Sequence, residues 1–430
     1  MRTREATSID FDTARRAAQR VLDRSDHLAR HTDEEGRITR LYLSPAAKLA
    51  HDELRGWMKD AGLRVRTDDA GNLIGRRAAG GSPDAAAPVL LLGSHLDTVP
   101  NAGRYDGVLG VLVALAAVEE ARGGDLPFHV DVLGFSEEEG VRFSLPYLGS
   151  AAVAGAFDRD WLRRTDASGK TMRWAIEEYG LDARRIPEAA YDRDKVVGYV
   201  EVHLEQGPVL HAADQALGVV TAIQGQSRLR VRLIGAPAHA GTTPQEQRQD
   251  ALVAASRLVL EAQSLAESVP GLRATVGQVR VWPNVRNVVP GQAELSLDLR
   301  HERDDVRQEC LQRWLDAAER VAESQRLRFE VLDAQSQPAA PMDPALSDAL
   351  AAALGDVGVE SPRLPSGAGH DAVVMAGFCP SAMLFVRDPA AISHHPDEQV
   401  DPEDVARAVQ ALTALLARLG GPEGAGMVRR

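Results

Sequence analysis

Four consecutive apolar residues, Val89-Leu90-Leu91-Leu92, lead into Gly93-Ser94-His95-Leu96-Asp97, a loop to Asp106-Gly107, and an apolar pattern at helical spacing over residues 108–121. A short continuous apolar run bounded by turn residues reads as a strand buried on both faces, the kind found in a mainly parallel sheet. In such sheets ligands bind beyond the carboxyl ends of the strands, so the loop from Asp97 to Asp106 is where chemistry is expected. His95 and Asp97 are two apart and lean to the same side on extended backbone, where the aspartate can orient the imidazole. With Asp106 at the helix start, an imidazole and a carboxylate suit a divalent metal. A helix-capping Asp106 and a structural His95 fit the same segment. The segment alone leaves both readings open.

A second strand, residues 128–135, ends in Ser136-Glu137-Glu138-Glu139-Gly140. Three acids in a row ordinarily form a solvated loop. Here they follow an apolar strand one helix after the first, so they should face the same crevice. One carboxylate can ligate a metal while its neighbour, left uncoordinated, takes a proton from water. A third strand pattern around residues 199–208 brings His203 and Glu205 to one face before Gly207-Pro208 ends it. The remaining histidines in polar, glycine-flanked surroundings are His239, His370, His394 and His395, and these are loop positions rather than core.

Between residues 227 and 335 the pattern changes. Leu229, Val231 and Leu233 alternate with Arg228, Arg230 and Arg232, a half-buried strand with a basic outer face. Helices over 250–267 and 304–324 and strands near 272–281, 293–300 and 327–332 complete a β-α-β-β-α-β order, a ferredoxin-like module. The α/β pattern then resumes. The fold class read here is α/β: a mainly parallel-sheet metal-binding catalytic domain, residues 1–222 and 337–430, with a ferredoxin-like α+β domain inserted at 223–336. Turn-rich hinges are expected at 218–226 and 334–344.

Composition narrows the function. The chain of 430 residues carries 49 Lys+Arg against 62 Asp+Glu, a net charge of −13, which disfavours nucleic acid and anionic membrane as partners. Cys310 and Cys379 are too few for a disulfide framework or a thiolate site, so a metal here must use His, Asp and Glu. The charged start at residues 1–5 has no apolar leader and no run reaches membrane-spanning length, so a cytoplasmic address is expected.

The segments GSHLDTVPNAGRYDG, SEEEGVRF, EVHLEQGP, AHAGTTP, NVVPG with LDLRH, GAGHDA and ISHHPDE together resemble the successive motifs of the M20 metallopeptidase-like amidases. The subgroup is that of the N-carbamoyl-L-amino acid hydrolases, ureidopropionases and allantoate amidohydrolases. The resemblance spans residues 88–400. It implies two divalent ions per subunit, zinc or manganese, with Asp106 bridging and His95, Glu139, His203 and His394 as further ligands. It implies Glu138 as general base, Asp97 as a catalytic partner and His239 as stabiliser of the developing oxyanion. Gln206, Asn287, Arg300 and His370 would bind a small anionic ureido-acid substrate. The inserted domain would form a homodimer and close over that substrate. Allantoate hydrolysis is the activity expected. N-carbamoyl-L-amino acid hydrolase or ureidopropionase, a dipeptidase of the same clan, and a silent binding protein are the alternatives.

Overall fold

The computed structural model describes residues 9–81, 86–121 and 125–428. The charged start at residues 1–5 lies outside the described residues. The chain forms two compact units, residues 1–221 with 342–430 and residues 222–341. No helix among the described residues is long and apolar enough to cross a membrane.

In chain order the strands are β1 (Arg64–Thr67), β2 (Leu73–Arg77), β3 (Val89–His95), β4 (His129–Phe135), β5 (Val196–Leu204), β6 (Leu217–Ile223), β7 (Gly225–Ile234), β8 (Ala238–His239), β9 (Arg273–Thr275), β10 (Val279–Trp282), β11 (Val288–Val289), β12 (Gln292–His301), β13 (Arg328–Gln337), β14 (Ala340–Pro341), β15 (Arg363–Ser366) and β16 (Ser381–Val386). The larger unit is mixed α/β. Its sheet runs β1-β2-β4-β3-β5-β16-β6, with β15 also on β6. The pairs β4/β3, β3/β5 and β5/β16 are parallel, and the flanking pairs are antiparallel. Parallel strands share a direction, so β3, β4, β5 and β16 all present their carboxyl ends on one edge.

Every residue of these four strands is buried. That explains their mostly apolar make-up, each fully buried Val, Leu, Phe or Met side chain contributing about 1.5–3 kcal/mol. Helix Val108–Glu120 is apolar all round and lies against β3, β5 and helices Phe11–Leu28 and Pro402–Gly420, so it is an interior helix. Gly110 sets how near it comes to β5. A Cβ at that position would stand 1.9 Å from the Val202 carbonyl oxygen, so only glycine permits the approach. The contact holds the start of the helix, and Asp106 before it, against His203.

The smaller unit has the sheet order β10-β12-β7-β13, with β9 on β12, and is antiparallel throughout. Helices Ala251–Ser268 and Asp304–Ser324 cover one face and share its apolar core. On the other face the basic residues of β7 meet acids of β12, with Arg228 to Asp298 at 3.0 Å and Arg232 to Glu294 at 2.6 Å.

Both unit boundaries, after residues 221 and 341, fall within the segments expected as hinges, but those segments are mostly strand rather than turn. β6 and β7 occupy 217–234 with only Gln224 between them, and β13 and β14 fill much of 328–341. Gly218 lies within β6. Its missing side chain makes room for Leu364, which a Cβ would meet at 2.5 Å, and Val219-Val220-Thr221 favour extended backbone.

Candidate metal centre

His95 is the last residue of β3. Its Nδ1 lies 3.0 Å from the Asp97 carbonyl oxygen, which can only accept, so that nitrogen carries a proton and Nε2 is the atom turned toward His203. The loop behind it is fixed by the buried Arg40, whose guanidinium donates to the Leu96 and Leu28 carbonyls at 2.6 and 2.9 Å. The Asp97 carboxylate does not orient the ring as the two-residue spacing suggests: its nearer oxygen is 3.9 Å from Nδ1. It accepts instead from the backbone amides of Glu138 and Glu139, at 3.0 and 3.1 Å. Strand alternation stops at His95, and the amides arriving from the end of β4 are the stronger claim on the charge.

The three consecutive acids part company at that turn. Glu137 has a φ of +56°, and its Oε1 accepts from the amides of Arg142 and Phe143, which takes it away from the crevice. Glu138 and Glu139 remain with His95, their ligand atoms within 4.8 Å of one another. On β5, His203 gives its Nδ1 proton to the Leu204 carbonyl at 3.0 Å. Its Nε2 stands 3.4 Å from both the His95 Nε2 and the Asp106 Oδ1. His394 brings Nε2 to 3.3 Å from Asp106 Oδ2 and 3.6 Å from Glu139 Oε1. The adjacent His395 faces Asp397, at 3.6 Å, so the geometry distinguishes the two histidines.

Asp106 does not cap the helix that follows it, since the cap position is Gly107 and no side chain bonds there. Its backbone amide and that of Tyr105 are held by Glu398 Oε2 at 3.0 and 2.9 Å. Its Oδ1 receives the Gln206 amide at 2.9 Å, and the same amide nitrogen donates to Ser393 Oγ at 2.7 Å. Asp106 Oδ2 and Glu139 Oε1 are buried without a hydrogen-bond partner among the described residues. A buried carboxylate oxygen left bare is costly unless something positive meets it.

Two groups of ligand atoms share Asp106: one with His95 and His203, the other with Glu139 and His394. Oxygen and imidazole nitrogen donors suit a divalent ion such as zinc or manganese. The electrostatics point the same way. Burial pushes the His203 imidazole down to about 4, so it is neutral and able to ligate. Burial lifts the Glu139 carboxyl to about 8, with Asp106 adding to the rise and His95 opposing it. Burial alone would depress His95, but Glu138, Asp97, Asp106 and Glu139 outweigh it and raise that ring well above its ordinary value. The centre is a concentration of negative charge with unsatisfied oxygens, and divalent cations fit it.

His370 is fully buried, its ring centre 4.3 Å from that of His203 and its Nε2 2.9 Å from Ser366 Oγ. Glu201, two residues before His203 on the same strand face, accepts from Ser94 Oγ at 2.9 Å and the Ala372 amide at 3.0 Å. Both lie within ligand distance of His203, yet their polar atoms already serve the scaffold. Glu205, expected beside His203, caps the turn at Val209 and Leu210 instead, at 2.7 and 2.8 Å. The strand ends at Leu204, so the alternation no longer governs it.

In the smaller unit β8 pairs with β11, setting His239 opposite Val288, and the Asn287 carbonyl accepts from the Ala240 amide at 2.9 Å. His239 Nδ1 accepts from the Gly241 and Thr242 amides at 3.1 and 3.2 Å, so its proton sits on Nε2. His239 and Asn287 are therefore together. Arg300 lies eight residues along β12 from Gln292, about 26 Å at strand rise, and its guanidinium grips Asp298 at 2.7 and 2.9 Å.

Glu398, Ser393, Glu201 and Arg40 were not singled out from the sequence. Only Glu201 left a usable signal, its two-residue offset from His203.

The chain matches Peptidase family M20/M25/M40 over residues 91–418. It is 39% identical to a probable allantoate deiminase of Oryza sativa subsp. japonica, covering 90% of this chain and 86% of that protein. It is 37% identical to an N-carbamoyl-L-amino acid amidohydrolase of Geobacillus stearothermophilus, covering 88% and 92%. A crystal structure of a hydantoinase/carbamoylase family amidase from Burkholderia ambifaria superposes with a TM-score of 0.87 at 34% identity, covering 97% and 99%. A parallel-sheet edge that gathers His95, Asp106, Glu139, His203 and His394, and a family match running from β3 into the last long helix, lead to one conclusion: the chain belongs to peptidase family M20/M25/M40.

Proposed function

We propose that this protein hydrolyses a linear C–N bond of an anionic ureido acid, with allantoate as the preferred substrate and N-carbamoyl-L-amino acids as the alternative. The observation that carries the reading is Asp106 shared between two donor groups, with Glu138 beside them. His95, Asp106 and His203 would hold one divalent ion, and Asp106, Glu139 and His394 the other. Such ions supply Lewis-acid polarisation of a poorly electrophilic ureido carbonyl and acidify water toward neutral pH.

The chain's own groups do the rest. Glu138 stands outside both sets of three and is free to accept a proton from water at its carboxylate and return it to the leaving nitrogen. Asp97 fixes that carboxylate by holding the Glu138 and Glu139 amides. His239, with its proton on Nε2, is a neutral donor for the developing oxyanion. Gln206 spends its amide hydrogens on Asp106 and Ser393, so its oxygen is left for a ureido N–H. Asn287 and Arg300 would hold the substrate carboxylate, Arg300 through its planar fork. His370 would position the site from behind His203.

The smaller unit is the proposed dimer contact and lid. Leu260, 64% exposed, and the open edge strand with Val279 and Trp282 offer apolar surface for a second copy. In this reading His239 and Asn287 act in the partner copy's site. Two buried free cysteines fit a reducing cytoplasm.

The test follows ammonium release from allantoate and N-carbamoyl-L-amino acids, and amino-acid release from dipeptides, by ion-loaded protein side by side. We expect kcat/KM for allantoate to lead by at least about tenfold, a difference of roughly 1.4 kcal/mol. Leadership by a carbamoyl amino acid would select the alternative, which the relative at 37% identity supports. Dipeptide cleavage faster than either would overturn the ureido reading.

A further inference from the structure

The larger unit has a cavity of about 780 Å³ that contains none of the metal-centre residues. It lies among the start of helix Pro45–Asp60, segment 166–170 and the end of helix Met172–Tyr179, with Val141 and Arg142 in its wall. Its size is in the range of small-molecule sites, roughly 300–1,000 Å³. The lining is mainly apolar, with Leu41, Leu43, Pro45, Val141 and the Tyr179 ring.

The wall is preformed. The Arg142 guanidinium donates to the Tyr42 and Leu43 carbonyls at 2.7 and 3.3 Å and meets Asp166 at 3.2 Å. Asp166 in turn accepts from the amides of Ser168 and Lys170, at 2.9 and 3.1 Å, which closes the loop on that side. A site ordered before binding loses less entropy when it is filled.

Its charges leave one remainder. Arg142 is matched by Asp166, and Lys170 by Glu178 at 3.7 Å. Lys48 has no ion pair among the described residues, and its ammonium stands 5.7 Å from the centre of the Tyr179 ring. Lys48, an exposed lysine beside the apolar lining, is complementary to one negative charge on an apolar body.

We propose that this cavity binds an amphipathic monoanion, an aromatic or branched aliphatic carboxylate, with Lys48 taking the charge and Leu43, Val141 and Tyr179 the apolar body. The site needs neither the metal ions nor the proposed hydrolysis, so its failure and theirs are separable.

The test uses two fluorescent probes on the full chain, 8-anilinonaphthalene-1-sulfonate and its neutral analogue N-phenyl-1-naphthylamine. The wild type is expected to bind one equivalent of the anion saturably. Lys48→Glu should weaken the anion at least tenfold and leave the neutral probe within twofold. Ala167→Trp, a change at an exposed lining position, should set an indole in the chamber and weaken both probes together, with an unchanged far-ultraviolet circular dichroism spectrum. No saturable binding by the wild type, binding indifferent to Ala167→Trp, or equal loss of both probes in Lys48→Glu would overturn the proposal.

Discussion

Glu138→Gln is expected to keep the ion content of the wild type and to lose turnover by about 10²- to 10⁴-fold, the usual scale for a general base. The substitution preserves shape and leaves the backbone amide that binds Asp97 in place, so the acid turn should not move. It removes only the basicity of a carboxylate that belongs to neither Asp106-centred group. Ion analysis and ammonium release on the same preparation separate the possibilities. A fall in ion content that tracks the fall in rate would exchange the roles of Glu138 and Glu139.

Asp106→Asn should lose both ions, because both donor groups pass through this side chain. His394→Ala, which serves one group, should lose one. The asparagine can still accept the Gln206 amide, and Glu398 holds the backbone rather than the side chain, so the fold has little reason to change. The substitution also removes one charge from a buried carboxylate cluster with bare oxygens. Ion-free Asp106→Asn is therefore expected to unfold at a denaturant midpoint no lower than ion-free wild type. A markedly lower midpoint would mean that Asp106 has a scaffold role that its observed partners do not account for.

Local pattern carried much of this molecule. The apolar run at Val89 and the helical spacing after Asp106 located β3 and the interior helix, because burial on all sides leaves a chemical imprint on sequence. Which acid of Glu137-Glu138-Glu139 faces the crevice carried no such imprint. That choice is made by the amides of Arg142, Phe143 and the Asp97 carboxylate. Two-residue alternation succeeded inside β5 and failed just past its end, where Glu205 found amides nearer than any ion.

Contacts between distant segments were the least legible. Arg40 beneath the His95 loop and Glu398 beneath Asp106 join residues 56 and 292 positions apart, and their partners are backbone groups that every residue possesses. Nothing in the local sequence distinguishes such an acid from one that faces solvent. The split between His394 and His395 likewise rests on a left-handed backbone at His394, φ +58°, which turns one ring to Asp106 and leaves the other with Asp397.

The most direct measurement is a titration of chelator-stripped protein with zinc or manganese, following ammonium release from allantoate as ion is added. The account predicts no release without ion and a rate that climbs until two equivalents per chain are bound. Full release from stripped protein, or a rate that saturates at one equivalent with Asp106→Asn still active, would contradict a centre built on a shared Asp106.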